Sequence, residues 1–312
     1  MSRRVGIWIG TGLLLLAGCS RLPWVPGGLE LAPTPMSELD TGLHAGLHAG
    51  LHEELDSAVL EHGVLHSTTG CPLAYRLYRP EAPTRSARAP VLVVLAHGFL
   101  RSQARMRGLA QAIAAAGLPV ATLDLCNMRP WAGRHQQNGL DMIALARHLQ
   151  ADVDDGERIY AGFSAGGLAA LVAARQDRQA LGVVTLDLVD AQGLGERAAR
   201  QLQRPLLGLA GAPTNCNARG NAEALFAEHE QARLLRIPQA GHCDFEAPTD
   251  ALCEWLCTDP AAGAAPEKAR LRAWVVRQAV AAITALAAGR AAEWPLQSDQ
   301  SGPSSFMALA SD

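Results

Sequence analysis

Residues 158–176, RIYAGFSAGGLAALVAARQ, constrain the fold more than any other stretch. Residues 158–163 form a short apolar run with the length of a buried strand. The Ala- and Leu-rich residues that follow Ser164 are strong helix formers. Between the two stands Gly162-Phe163-Ser164-Ala165-Gly166, a Gly-x-Ser-x-Gly pentapeptide. A chain that passes directly from strand to helix at a serine must bend sharply there. Glycines on either side let neighbouring backbone approach without a clash. The helix amino terminus behind Ser164 adds partial positive charge where an oxyanion would form. In a chain with 30 glycines the pentapeptide alone is a weak sign, and a serine there can simply cap a helix. The flanking strand and helix supply the context that the chemistry needs.

The same alternation runs through the chain. Residues 63–80 read as two early strands around a turn at Gly70. Residues 91–96 are a buried strand, 105–119 a helix stopped at Gly-Leu-Pro, and 119–125 a strand. Residues 139–150 form a helix, 180–189 a strand, 193–203 a short polar helix, and 205–211 a strand. Residues 221–231 form a helix, 232–241 the last strand, and 268–289 a long closing helix. Strands alternating with helices predict a mainly parallel α/β sheet of about eight strands with helices on both faces. The connection from Asp190 to Arg204 is short, which leaves room for a minimal lid or none.

Two histidines sit at strand ends. His97-Gly98-Phe99 follows the apolar strand at 91–96, and His242 follows the last strand in QAGHCDF. His242 is the natural general base after Ser164, with His135 as its one rival. His97 comes too early in an ordered Ser–acid–His set and reads as a loop brace. The Phe99 and Ala165 N–H groups are the candidate oxyanion donors. The acid is the puzzle, because a carboxylate must fix the imidazole tautomer and stabilise the imidazolium. Residues 205–221, PLLGLAGAPTNCNARGN, hold no Asp and no Glu, only Asn215, Asn217 and Asn221 as polar amides. One strand earlier, Asp187 follows a buried apolar run and Asp190 lies three residues on. Asp187 is the preferred acid. Asp190, which reads as a turn or helix cap, is the alternative, and Asp244 and Glu246 remain behind both. Leu100, Trp131 and Trp255 are candidate substrate-lining residues.

With AHGF, GFSAGG and AGHCDF in this order, residues 56–290 resemble the α/β-hydrolase superfamily. The likeness is to its dienelactone-hydrolase-like branch, which includes chlorophyllases, platelet-activating-factor acetylhydrolases and cutinase-like esterases. Dienelactone hydrolase itself uses a cysteine nucleophile, where this chain has Ser164. Cutinase-like enzymes keep their acid after the following strand, where this chain has none. Platelet-activating-factor acetylhydrolases place it in a Leu-Asp pair like Leu186-Asp187. The resemblance implies a serine hydrolase acting on carboxylic esters through an acyl-enzyme, with no metal or organic cofactor. The same triad also serves peptidases, thioesterases and acyltransferases, and a non-catalytic binding lipoprotein on this fold is a further alternative.

The amino terminus bears on location. Arg3 and Arg4 precede an apolar run at residues 5–17, too short to span a bilayer comfortably and like a signal peptide. It ends in Leu16-Ala17-Gly18-Cys19, which resembles a bacterial lipobox. That resemblance implies cleavage before Cys19, lipidation of Cys19 and attachment to the cell envelope, facing the periplasm or the exterior. Ser20 in place of Asp suggests the outer membrane in a Gram-negative host. Losing residues 1–18 would take the formal charge from −3 to −5. With no basic excess, a nucleic-acid partner is not expected. The expected partners are a membrane and a small-molecule, lipid or polymeric ester. Residues 19–55 read as a tether, rich in Pro and Gly. Its GLHAGLHAGLH repeat puts His44, His48 and His52 at i, i+4 and i+8, but the glycines favour a spacer over a metal-binding helix. Residues 291–312 read as a tail. Beyond Cys19 six cysteines remain, and an even number outside the cytosol predicts disulfides. At least one bridge is expected among Cys216, Cys243, Cys253 and Cys257.

Overall fold

In the computed structural model all five residues of Leu92–Ala96 are buried. Side chains alternate across a strand. Leu92, Val94 and Ala96 therefore enter one core, and Val93 and Leu95 the other. Burying a Val or Leu contributes about 1.5–3 kcal/mol, so a strand of this kind is stable only with layers on both faces. The structure describes residues 59–81, 91–126, 133–153, 156–257 and 265–295. Cys19, the signal and tether segments, Trp131 and residues 296–312 lie outside them, while the first residues of the expected tail are ordered, with Trp294 buried against the core.

The strands are β1 (Val59–His66), β2 (Pro72–Arg79), β3 (Leu92–Ala96) and β4 (Val120–Leu123). They continue with β5 (Arg158–Phe163), β6 (Ala180–Leu186), β7 (Leu206–Ala210) and β8 (Ala232–Arg236). They pair in one sheet in the order β1-β2-β4-β3-β5-β6-β7-β8. β1 and β2 are antiparallel, as are β2 and β4; every other pair is parallel. The parallel, doubly covered sheet of about eight strands expected from the sequence is therefore what forms.

The helices are α1 (Arg107–Ala115), α2 (His135–Leu149), α3 (Ala165–Gln176) and α4 (Leu194–Gln201). After them come α5 (Ala224–Glu228), α6 (Ala251–Leu256) and α7 (Ala265–Ala287). α2, α3, α4 and α5 pack one core, through Met142, Leu168, Ala199 and Leu225 among others. α1 and α7 pack the other, through Ile113, Val275 and Ile283. No described helix is long and apolar enough to cross a membrane.

Three local differences from the sequence reading have physical causes. α5 is five residues, not eleven: residues 221–223 continue the turns that run through Ala218, Arg219 and Gly220, which adopt positive φ, and the chain becomes extended at His229. α2 begins four residues early, at His135. α6 was not anticipated: Asp250 caps it by accepting the Cys253 N–H at 2.9 Å, and two disulfides pin it.

Candidate active site

Ser164 occupies the bend between β5 and α3 with φ 55 and ψ −119, a conformation in which a residue with a Cβ is strained. The surrounding glycines make the bend possible. A Cβ on Gly162 would come within 2.3 Å of the Gly166 carbonyl oxygen, and one on Gly166 within 2.3 Å of the His97 carbonyl oxygen. Backbone cannot retreat as a flexible side chain would, so both positions require glycine. The Ser164 N–H donates to the Leu186 carbonyl at 2.9 Å, which places Ser164 beside the end of β6.

Asp187 stands at that end, one residue beyond β6 and 2% exposed. Its Oδ2 receives the His242 Nδ1 at 2.6 Å, and its Oδ1 accepts the Gly211 N–H at 2.9 Å. His242 opens a 3₁₀ turn, His242–Phe245, after β8. With Nδ1 committed to Asp187, only Nε2 is free to exchange a proton with a neighbour. The Phe163 ring packs against the His242 imidazole with centroids 4.6 Å apart, so the residue before Ser164 steadies that ring. Ser164, Asp187 and His242 thus converge at the carboxyl ends of β5, β6 and β8.

The segment without an acid contributes an amide instead. Asn217, 1% exposed, donates from Nδ2 to the Asp187 Oδ1 and Oδ2 at 3.3 and 3.2 Å and to the Ala212 carbonyl at 2.8 Å. Its Oδ1 accepts the N–H groups of Thr214 at 2.7 Å and Gly220 at 3.2 Å. One side chain therefore steadies the carboxylate and folds the loop around it. Sequence reasoning weighed Asn217 only as a failed acid. Its place next to Cys216, which a disulfide fixes, was the available signal.

The other acids are engaged elsewhere. Asp190 caps α4, accepting the N–H groups of Gly195 at 2.6 Å and Glu196 at 3.3 Å. Asp244 accepts the Gly241 N–H at 2.9 Å and pairs with Arg272 at 2.8 Å. Glu246, fully buried, binds Arg101 through both oxygens at 2.7 Å, and Arg101 also reaches Asp250 at 2.8 Å. These bonds keep the Arg101 guanidinium charged and clasp the loop after β3 to the loop that carries His242.

His135 opens α2 with its Nδ1 buried and without a hydrogen-bond partner, so no carboxylate orients it as Asp187 orients His242. Burial holds its imidazole below the usual histidine range. His97 braces its loop. The Leu125 N–H donates to Nε2 at 3.0 Å, which leaves the proton on Nδ1 to bond the Gly98 carbonyl at 2.7 Å. Burial lowers its pKa and keeps it neutral. This bracing sets Gly98, where an added Cβ would lie 3.3 Å from the Ser164 Cβ, and carries Phe99 beside it. Among the described residues, neither the Phe99 nor the Ala165 N–H is consumed by a backbone carbonyl. Leu100 and Trp255 are exposed, at 50% and 76%.

Three disulfides close the loops: Cys71–Cys126, Cys216–Cys257 and Cys243–Cys253. The last two fall within the expected group of four. One flanks His242 and the other flanks Asn217. The sulfurs of Cys243, Cys253 and Cys257 lie within 4.8 Å of one another, but each is bonded to another sulfur and offers no thiolate to a metal.

No family model and no curated protein matches the chain. Solved structures do. The chain is similar to a dienelactone hydrolase from Anabaena variabilis at 22% identity and TM-score 0.51, covering 71% of this chain and 96% of that one. It is similar to a ferulic acid esterase from Streptomyces cinnamoneus at 19% and 0.50, covering 74% and 88%. It also resembles an alpha-beta serine hydrolase homologue from Coxiella burnetii at 16% and 0.50, covering 70% and 96%. At these identities the likeness is one of fold. Taken with the strand order and the two helical layers, it identifies the fold as that of the α/β hydrolases.

Proposed function

We propose that the protein is a membrane-anchored serine hydrolase that cleaves carboxylic esters. The observation that carries this reading is the 2.6 Å pair of Asp187 and His242 beside a serine held at positive φ. In this reading His242 Nε2 takes the Ser164 hydroxyl proton as Oγ attacks the ester carbonyl. The Phe99 and Ala165 N–H groups hold the oxyanion. The C–O bond to the alcohol then breaks, and His242 returns the proton to the leaving oxygen. Water, deprotonated by the same imidazole, attacks the acyl-serine and releases the acid. Asp187 keeps its bond to Nδ1 throughout and stabilises the imidazolium.

Two structures sharing the fold are named for hydrolysis of a lactone and of an ester, which agrees with the bond chosen here. The anchor rests on the Leu16-Ala17-Gly18-Cys19 sequence. A fluorophosphonate probe tests the nucleophile. We expect stoichiometric labelling of Ser164, abolished in Ser164→Ala and strongly slowed in His242→Ala. Labelling elsewhere, or none in folded protein, would reject the reading in favour of a binding protein.

A further inference from the structure

α6 is inside out. Leu252, Trp255 and Leu256 fall at i, i+3 and i+4, the spacing of a helix's apolar stripe, which a globular protein turns toward its core. Here the stripe faces solvent: these three residues are 53%, 76% and 58% exposed. The helix cannot roll to hide them. Cys253, buried beneath, is bonded to Cys243, and Cys257 just past the helix end is bonded to Cys216. A fourth exposed apolar residue, Leu100, belongs to the same neighbourhood. It precedes Arg101, whose guanidinium grips Asp250, the N-cap of α6. The patch is tied to the candidate site through the chain: Leu100 follows Phe99, and α6 is bonded through Cys253 to Cys243, the residue after His242.

Its charges favour an apolar, non-repelling contact. Among the described residues, the nearby carboxylates are ion-paired: Asp250 with Arg101 and Arg105, Glu246 with Arg101, and Asp244 and Glu254 with Arg272. The chain also supplies proximity to one apolar phase. Residues between Cys19 and Val59 reach at most about 140 Å when fully extended. A lipidated Cys19 would therefore hold the domain at a bilayer surface, where weak contacts become effective.

We infer that Leu100, Leu252, Trp255 and Leu256 form a docking surface for a phospholipid bilayer, and that the ester is drawn from that bilayer. The bilayer as occupant rests on the anchor proposed above, and the substrate half rests on the ester hydrolysis proposed there.

The test uses the full chain reconstituted on phosphatidylcholine vesicles. Brominated phosphatidylcholine should quench Trp255 emission, obtained as the difference between wild type and Trp255→Phe. The double variant Leu252→Glu/Leu256→Glu should hydrolyse a long-chain 4-methylumbelliferyl ester dispersed in the vesicles at least tenfold more slowly. Its rate on soluble 4-methylumbelliferyl acetate should stay within twofold. An unquenched Trp255 overturns the docking surface. So do two rates that fall together, two rates that hold, or a wild-type dimer that the variant dissociates without loss on vesicles, which would make a second copy the occupant. If wild type turns over neither ester, the proposed function fails, and quenching alone still decides the surface.

Discussion

Changing Asn217 to Asp should convert the polar clamp on Asp187 into a repulsion with a characteristic pH signature. The new carboxylate would sit where the amide now lies, 3.2 Å from the Asp187 Oδ2, with both residues almost fully buried. Two unit charges at that separation repel by about 5 kcal/mol at an effective dielectric of about 20. The pair can instead keep one proton. At pH 7 protonating a carboxyl of ordinary pKa about 3.9 costs about 4 kcal/mol, at roughly 1.4 kcal/mol per pH unit. The cheaper route prevails, so the folded variant holds one proton and is about 4 kcal/mol less stable than wild type at pH 7. The unfolded chain gives that proton up at neutral pH. The deficit is therefore full at pH 7 and shrinks as pH falls, nearly vanishing around pH 4. For a domain of this size it amounts to roughly 8–16 °C in Tm. Thermal melts of both proteins from pH 7.5 to 4.5 make the measurement. A variant that tracks wild type at every pH would refute the close, buried contact between positions 217 and 187.

Three further outcomes are expected. Cys216→Ser with Cys257→Ser removes a bridge between residues 41 apart and should cost about 2–4 kcal/mol in denaturant unfolding, and an unchanged midpoint would contradict this. His97 is held neutral by burial. Below the ordinary histidine range, near pH 6.5, the unfolded chain binds a proton that the folded one refuses, so stability falls with pH there. Melts of His97→Gln between pH 7.5 and 5.5 should show a shallower slope, and an identical slope would count against the bracing role. Cys19→Ala should release the protein from the lipid-bound state, and mass spectrometry finding no lipid on wild-type Cys19 would reject the anchor.

The fold was legible because its strands are buried on both faces and so read as uninterrupted apolar runs, as at Leu92–Ala96. The bend at Ser164 was legible because only glycine fits at 162 and 166, which leaves a visible signature. Asp187 emerged from chain order and from the absence of acids at 205–221. What stayed hidden depends on contacts between residues far apart in sequence. Asn217 meets Asp187 across 30 residues, and Arg101 meets Glu246 across 145. Nothing local announces either. The outward face of α6 was hidden for a different reason: its apolar stripe has the spacing of a core helix, while its orientation is set by disulfides to Cys216 and Cys243.

The most direct test of the account compares Asp187→Asn with Asp190→Asn on one activated ester, with melts to confirm folding. Asparagine at 187 keeps the shape but presents the wrong partner to His242 Nδ1, and kcat should fall by about 10⁴. Asparagine at 190 can still accept the Gly195 N–H through its one carbonyl oxygen, forfeiting only the longer bond to Glu196, and kcat should stay within a few-fold of wild type. A near-normal Asp187→Asn beside an inactive Asp190→Asn would contradict the assignment of the acid.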